Sequence, residues 1–303
     1  MLNKTRNWLG ALVRATAASA MLIATTAHAA PPADIDVFAQ HVLEAFETPG
    51  MSIAIVERGQ PTVLRSYGVR RMGQPAQVDE NTLFSIGSTT KAITSATLAT
   101  LVDEGKLTWD TRVSDVLPGF KLQDAYASSE MTVRDLLVHR SGLGLGAGDL
   151  LFYPPPSDRT RAEIVHSLRY IKPASSFRST FAYSNMMYLV AGEVIKAVGG
   201  ASWEEAVRQR IFAPLQMTSS TTSSLLPAGA NRAWPHSRIT TDMRGDGPVV
   251  ALAAPVDIDI VGPSGSMQSS TADIARWLEL QLGRGLDPRT NRRVFSEAQA
   301  REM

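Results

Sequence analysis

The sequence contains no cysteine. This absence excludes disulfides, a thiol nucleophile, a thiolate metal site and lipid attachment through cysteine. The five histidines show no metal-ligand spacing, so we expect neither a metal ion nor an organic cofactor. The stability of the fold must therefore come from an apolar core, which a hydrophobic content of 44% can supply.

A strong charge of either sign is also missing. The formal net charge of the whole chain is +1, and its first 29 residues hold three basic residues, Lys4, Arg6 and Arg14, and no acidic one. Without that segment, 27 basic residues face 29 acidic ones, which gives a net charge of −2. No block of lysine or arginine occurs in the remainder. We therefore expect no nucleic-acid partner.

Long apolar runs are scarce and lie at the N-terminus. The run from Ala15 to Ala24 is too short to cross a bilayer, which makes a transmembrane anchor the weaker interpretation. It follows a basic start and precedes Ala27-His28-Ala29, a small-x-small cleavage pattern. The sequence thus predicts an export signal over residues 1–29 and a mature domain over 30–303. We expect a periplasmic or secreted protein with no stable membrane span after signal removal.

Hydrophobic periodicity predicts a β-hairpin early in the chain and mostly helices after it. Residues 34–47 are typical of an amphipathic helix, and 51–57 and 62–68 of two strands joined by a turn. Further helices are predicted from Ser88 to Gly105, and over 132–143, 183–200, 202–214 and 270–282. Residues 218–260 show little periodicity, and no repeat is visible. This order favours an α+β fold over alternating βαβ units.

The helix beginning near Ser88 carries a lysine, Lys91, on its apolar face. Residues three apart on a helix lie close together, so the Lys91 amine can reach the Ser88 hydroxyl. Burial lowers the pKa of a lysine, and a neutral amine can take the proton of a serine nucleophile. The alternative is a surface lysine beside a chance serine. Of six lysines, only Lys91 has a serine three residues before it.

A second candidate pair is Tyr183 and Asn185, in Tyr183-Ser184-Asn185 before another apolar helix. A tyrosine near a lysine can relay a proton, and an asparagine amide can hold a substrate carbonyl and the lysine together. The alternative is a helix cap at Asn185 and a core tyrosine. Of six tyrosines, only Tyr183 has an asparagine two residues later.

Together these motifs resemble those of the serine β-lactamase and DD-peptidase (penicillin-binding) superfamily, in its class C β-lactamase and carboxylesterase branch. The similarity covers most of residues 34–303. Its segments are "VDENTLFSIGSTTKAITSATLATLVDEGKL", "MTVRDLLVHRSGL", "FAYSNMMYLVAGEVIKAVGG", "IFAPLQM" and "GPSGSMQSSTADIARWL".

The resemblance implies a role for each candidate residue. Ser88 would be the acylated nucleophile, Lys91 its proton partner, Tyr183 a second catalytic base and Asn185 a substrate-binding residue. The implied fold is a three-layer-like α+β arrangement, an antiparallel sheet flanked by helices with an all-helical lobe over roughly 111–260. The implied substrate is a small molecule or a peptidoglycan-type peptide.

One family segment has no counterpart here. The third box of these enzymes, Lys-Thr-Gly or a His- or Trp-x-Gly variant, lies on a late strand and supplies the second oxyanion amide, and nothing after Asn185 reads that way. We therefore expect an incomplete sheet that lacks the third-box strands. Two hypotheses follow. One is an exported serine hydrolase acting through an acyl-enzyme on a β-lactam, a D-Ala-D-Ala peptide or a small ester. The other is a catalytically impaired or inactive fragment that binds ligands. The sequence does not indicate the oligomeric state.

Overall fold

The structure is a computed structural model, and it describes residues 33–238 and 247–303. The predicted export signal lies outside these residues. The helices are α1 Ile35–Phe46, α2 Thr90–Asp103, α3 Val113–Val116, α4 Ala125–Glu130, α5 Val133–Leu137, α6 Arg161–Ser167, α7 Asn185–Gly199, α8 Trp203–Val207, α9 Ala213–Leu215, α10 Gly262–Gly265, α11 Thr271–Leu282 and α12 Glu297–Glu302. The strands are β1 Gly50–Ile55, β2 Val63–Gly68, β3 Phe84–Ser85, β4 His236–Arg238, β5 Val249–Ala251, β6 Gln268–Ser269, β7 Leu286–Asp287 and β8 Arg292–Arg293.

The described strands form four antiparallel pairs, β1 with β2, β3 with β6, β4 with β5 and β7 with β8. The first pair is the predicted hairpin, with Gly50 opposite Gly68 and Ile55 opposite Val63. A two-stranded hairpin is marginal alone, and β1 gains its support from packing against α11. The short β3–β6 pair joins the residues just before Ser88 to the chain that follows α10.

The core lies where α2 and α7 pack against each other and against α8 and α10. Leu98 and Leu101 of α2 and Leu189 and Val190 of α7 have no exposed surface. Because α2 is buried on most sides rather than along one stripe, its threonines are buried too. Thr94, Thr97 and Thr100 donate to backbone carbonyls within the helix or on α10. This helical core positions both candidate motifs.

Two predicted boundaries differ from the structure. Helix α5 ends at Leu137 rather than near Gly142, because His139 adopts a left-handed backbone conformation with φ +58°. Helix α8 is followed directly by a wider π-helical stretch at Arg208–Phe212 and then by α9, which ends at Leu215, beyond the predicted stop at Pro214. A π turn shifts the hydrogen-bond pattern, so a proline near the end of the helix is accommodated there.

The predicted all-helical range of 111–260 is helical only in its first part. Helices α3 to α9 occupy 113–215, whereas 236–238 and 249–251 form the β4–β5 hairpin. This hairpin was not predicted, because strands of three residues leave almost no alternating pattern in a sequence. Within the described residues, no helix has the length and apolarity that crossing a membrane requires.

Candidate active site

The candidate nucleophile lies at the junction of a strand and a helix. Strand β3 leads into a single 3₁₀ turn, Gly87–Thr89, and α2 begins at the next residue. Gly87 has a φ of +50°, a conformation that favours glycine and turns the chain sharply before Ser88. The Ser88 side chain is exposed at this corner. Its position at the first turn leaves its backbone N–H near the positive end of α2.

The Lys91 side chain lies one turn further and is only 6% exposed. Its Nζ lies within hydrogen-bond distance of three oxygens, Ser88 Oγ at 3.1 Å, Asn185 Oδ1 at 2.9 Å and the Ser264 carbonyl at 2.7 Å. The alternative of a surface lysine is therefore wrong, since the amine is enclosed by partners from three elements. Burial lowers the pKa of Lys91, and the nearby Tyr183 and Asp149 side chains act in the opposite direction.

Tyr183 approaches the same serine from the chain that precedes α7. Its hydroxyl donates to Ser88 Oγ at 2.6 Å, and Lys91 Nζ lies 4.8 Å from the centre of its ring. The sequence places Tyr183 and Ser88 95 residues apart, and the packing of α7 on α2 brings them together. Ser88, Lys91 and Tyr183 thus form one connected cluster.

Asn185 is the first residue of α7, but it does not cap the helix. The cap is Ser184, whose Oγ accepts from the Met187 N–H at 3.4 Å. The Asn185 side chain is left to accept from Lys91 and to donate from Nδ2 to Asp149 Oδ2 at 3.1 Å. The alternative interpretation of Asn185 as a helix cap is therefore wrong.

Helix α10 also contacts the cluster. Its Ser264 supplies the carbonyl that accepts from Lys91, and the Ser264 hydroxyl donates to the Asn185 carbonyl at 2.6 Å. A Cβ on Gly265 would lie 3.5 Å from the Gly87 carbonyl carbon, so α10 packs closely against the turn that carries Ser88. The sequence drew attention to this segment only through its similarity to a family motif.

Two further residues reach the cluster. His139 lies within the family-like segment at 131–143, and its Nδ1 accepts from the Ser184 N–H at 3.2 Å while its ring lies 4.6 Å from that of Tyr183. Burial, and then the positive charge of Lys91, lower the pKa of His139, which favours the neutral ring. Asp149 comes from the loop between α5 and α6, where no local pattern marks it.

Among the described residues no group of acidic side chains and histidines is arranged to hold a metal ion. What the cluster can do is move a proton. It holds a hydroxyl beside a buried amine and a phenol, with a free backbone N–H at the start of a helix, and these are the parts that acyl transfer through serine requires.

Comparison with known proteins agrees with this geometry. A family model described as "Beta-lactamase" matches residues 38–303. Penicillin-binding protein 4 of Amycolatopsis lactamdurans is 32% identical over 259 residues, which cover 84% of this chain and 65% of that protein. The chain therefore spans less than two thirds of the length of this relative.

Solved structures extend the likeness to the fold. The D-amino acid amidase of Ochrobactrum anthropi SV3, in complex with L-phenylalanine amide, matches with a TM-score of 0.70 and 26% identity, covering 88% of this chain and 72% of that one. A class C β-lactamase matches with a TM-score of 0.65 and 24% identity, covering 82% of this chain and 64% of that one. These matches confirm the family resemblance and the fold class inferred from the sequence.

Proposed function

The chain belongs to the β-lactamase family, and on that premise we propose that it is an exported serine hydrolase that acts through an acyl-enzyme on Ser88. The observation that carries the proposal is the three-way contact of Ser88 Oγ with Lys91 Nζ at 3.1 Å and Tyr183 OH at 2.6 Å. Serine is a poor nucleophile until a neighbouring base takes its proton, and both neighbours can serve.

The surroundings of Lys91 support its role as the proton acceptor. A neutral amine has two N–H bonds and one lone pair, whereas the cluster offers it three oxygens. The amide oxygen of Asn185 and the carbonyl of Ser264 have no proton, so both must receive an N–H. The lone pair is then directed at the Ser88 hydroxyl, the one partner of the three that can donate. The lowered pKa of Lys91 favours this neutral form.

The reaction follows from these positions. Ser88 Oγ attacks the carbonyl carbon of an amide or ester while its proton passes to Lys91, and the Ser88 backbone N–H stabilises the developing oxyanion. The C–N or C–O bond then breaks, and the leaving amine or alcohol takes up the proton, relayed through Tyr183. Water attacks the acyl group in the same way and restores Ser88. Asn185, with its second Nδ2 hydrogen, binds the substrate amide.

Two names suggest the class of substrate: one relative is a penicillin-binding protein, and one structural neighbour is a D-amino acid amidase. A β-lactam, a D-Ala-D-Ala peptide and a small ester or amide all present a carbonyl to the serine. We propose a periplasmic or secreted location, because the sequence over residues 1–29 has the features of an export signal.

Labelling of Ser88 tests the proposal. The chain is incubated with a fluorescent penicillin and, separately, with a fluorophosphonate, and the adduct is located by intact mass and peptide mapping. We expect one covalent adduct on Ser88 and none in Ser88→Ala. A protein that gives a cooperative melt by circular dichroism but no adduct with either reagent would contradict the proposal.

The second candidate function is ligand binding without turnover. It would follow if the Ser88 cluster kept its contacts to a ligand but had no second oxyanion donor, the loss of which costs roughly 10²–10³ in rate. A folded protein that retains penicillin reversibly, with no covalent adduct, would support this candidate.

A further inference from the structure

Asp149 is the one carboxylate among residues 33–238 and 247–303 that forms a hydrogen bond to the cluster, and burial makes its charged form unfavourable. Its Oδ2 accepts from Asn185 Nδ2 at 3.1 Å, while its Oδ1 is buried and has no hydrogen-bond partner among the described residues. Burial raises the pKa of Asp149, and the Asn185 amide and the charge of Lys91 oppose the rise only in part. A carboxylate held in such surroundings weakens the fold, so its presence beside reactive groups points to a role in the site.

The backbone of the loop holds Asp149 in place. The Gly146 N–H donates to the Tyr183 carbonyl at 3.3 Å, and the Asp149 N–H donates to the Gly146 carbonyl at 3.0 Å. Gly148 has a φ of +92°, and a Cβ there would lie 2.7 Å from Met186 Cγ, so the loop lies directly against the first turn of α7. Asp149 therefore enters the site from a loop that is anchored to the segment carrying Tyr183 and Asn185.

The chemistry of a carboxylate determines which end of the Asn185 amide faces it. An ionised carboxylate has only acceptors, so the amide must present its NH₂ group to Asp149 and its oxygen to Lys91. In the reverse orientation, the amide oxygen of Asn185 would face the Asp149 carboxylate, where both groups only accept. The amide NH₂ would face the N–H bonds of Lys91, where both groups donate. The orientation of the Asn185 amide decides where the lone pair of Lys91 points. Asp149 therefore acts on Ser88 indirectly, through Asn185 and Lys91.

We propose that Asp149 is a positioning residue, which holds the Asn185 amide oxygen toward Lys91 and places a negative charge beside that amine. This inference rests on the proposed function. It assigns Asp149 no contact with the substrate, since its free oxygen is buried. The other titratable groups around Lys91 are Tyr183, Tyr188, 5.3 Å from Nζ at its ring centre, and His139. The charge of Asp149 raises the pKa of Lys91, against the effect of burial.

Two variants separate orientation from charge. Asp149→Asn keeps an oxygen that can accept from Asn185 but removes the charge, whereas Asp149→Ala removes both. Asp158→Asn, an exposed carboxylate of the same loop, is the matched control. We expect Asp149→Ala to acylate about 10²-fold more slowly with the fluorescent penicillin, because a misplaced catalytic group costs about that much. Asp149→Asn should keep most of the rate at its optimum, with the acid limb of its pH profile moved to lower pH.

A direct titration of Lys91 makes the test independent of activity. The chain has six lysines, so side-chain ¹³C labelling of lysine gives few NMR signals, and that of Lys91 is identified by its loss in Lys91→Met. We expect the pKa of Lys91 to be lower in Asp149→Asn than in the wild type and unchanged in Asp158→Asn. A Lys91 pKa that is the same in Asp149→Asn and the wild type would overturn the charge role.

The remaining outcomes are distinguishable. If Asp149→Ala acylates at the wild-type rate with the wild-type pH profile, the positioning role is wrong although the proposed function stands. If the wild type gives no adduct on Ser88 but the Lys91 pKa still responds to Asp149→Asn, the proposed function fails and the electrostatic coupling stands. Circular dichroism melts of each variant show whether a slow rate reflects a fold that is lost.

Discussion

Asp135 and Asp149 are two carboxylates withdrawn from solvent in the same part of the chain, and their surroundings differ sharply. Asp135 is 2% exposed and accepts from Arg178 Nη2 at 2.6 Å, while it also closes a capping box with Thr132 at the start of α5. Asp149 accepts from a single neutral amide among the described side chains. The negative charge of Asp135 is balanced by the hydrogen-bonded Arg178 guanidinium, whereas Asp149 has no cation as a hydrogen-bond partner among the described residues.

The pKa values record the same difference. Burial acts to raise the pKa of Asp135, but the hydrogen bonds from Arg178 and Thr132 outweigh it and hold the pKa below its usual range. For Asp149, burial prevails and the pKa lies above its usual range. A carboxylate that stabilises the fold gains enough partners to stay charged, whereas one that serves chemistry is held where charge is unfavourable.

The largest effect is expected at Lys91, the cation beside Asp149. Lys91→Met replaces the buried amine with an apolar side chain of similar length, so Ser88 loses its proton acceptor. We expect acylation by the fluorescent penicillin to slow by about 10³-fold, within the range measured for lost general-base catalysis. A variant that melts cooperatively and still acylates at the wild-type rate would contradict the role of this lysine.

The opposite result is expected at Asp135. Asp135→Ala removes the carboxylate half of the α5 capping box and leaves Arg178 without its carboxylate, so we expect a loss of about 2 kcal/mol in the free energy of unfolding. Urea denaturation measures it. Acylation per folded molecule should be unchanged, because Asp135 does not contact the cluster. The matched control is Asp110→Ala, whose carboxylate is 80% exposed and should cost little. Equal stabilities of the two variants would refute the distinction.

The smallest effect is in the pH dependence of stability. The folded pKa of Asp135 is below its unfolded value, so its contribution is complete above about pH 3.9 and is lost as pH falls through the folded pKa. The folded pKa of Asp149 is raised, so its contribution is present below about pH 3.9 and is lost as pH rises through the folded pKa. Urea denaturation across this range gives the free energy of unfolding as a function of pH. In Asp135→Asn this free energy should fall less as the pH is lowered, and in Asp149→Asn it should fall less as the pH is raised. The same change in both variants would contradict the comparison.

The sequence predicted those parts of the site that depend on neighbours along one helix. Ser88 and Lys91 are three residues apart, so helical geometry alone brings them together. Tyr183 and Asn185 joined them only through the family resemblance, because a contact across 94 or 95 residues leaves no local pattern. Asp149 could not be predicted, since the glycine- and proline-bearing loop that carries it shows no periodicity and no local motif.

The fold divides in the same way. The long helices and the β1–β2 hairpin follow their hydrophobic periods to within one or two residues. The pairing of Phe84–Ser85 with Gln268–Ser269 could not be predicted, because it joins two-residue strands that lie far apart in the chain. The early end of α5 depends on the backbone conformation of His139, which its residue type does not require.

One of the oxygens that accept a hydrogen bond from Lys91 is the main-chain carbonyl of Ser264. No side-chain substitution can delete this acceptor, and every residue type at position 264 would offer it so long as the α10 turn keeps its course. Alanine scanning would therefore not detect this part of the hydrogen bonding around Lys91. That part would respond only to changes that bend the turn, such as a Cβ on Gly192, which would lie 2.4 Å from Pro263 Cγ.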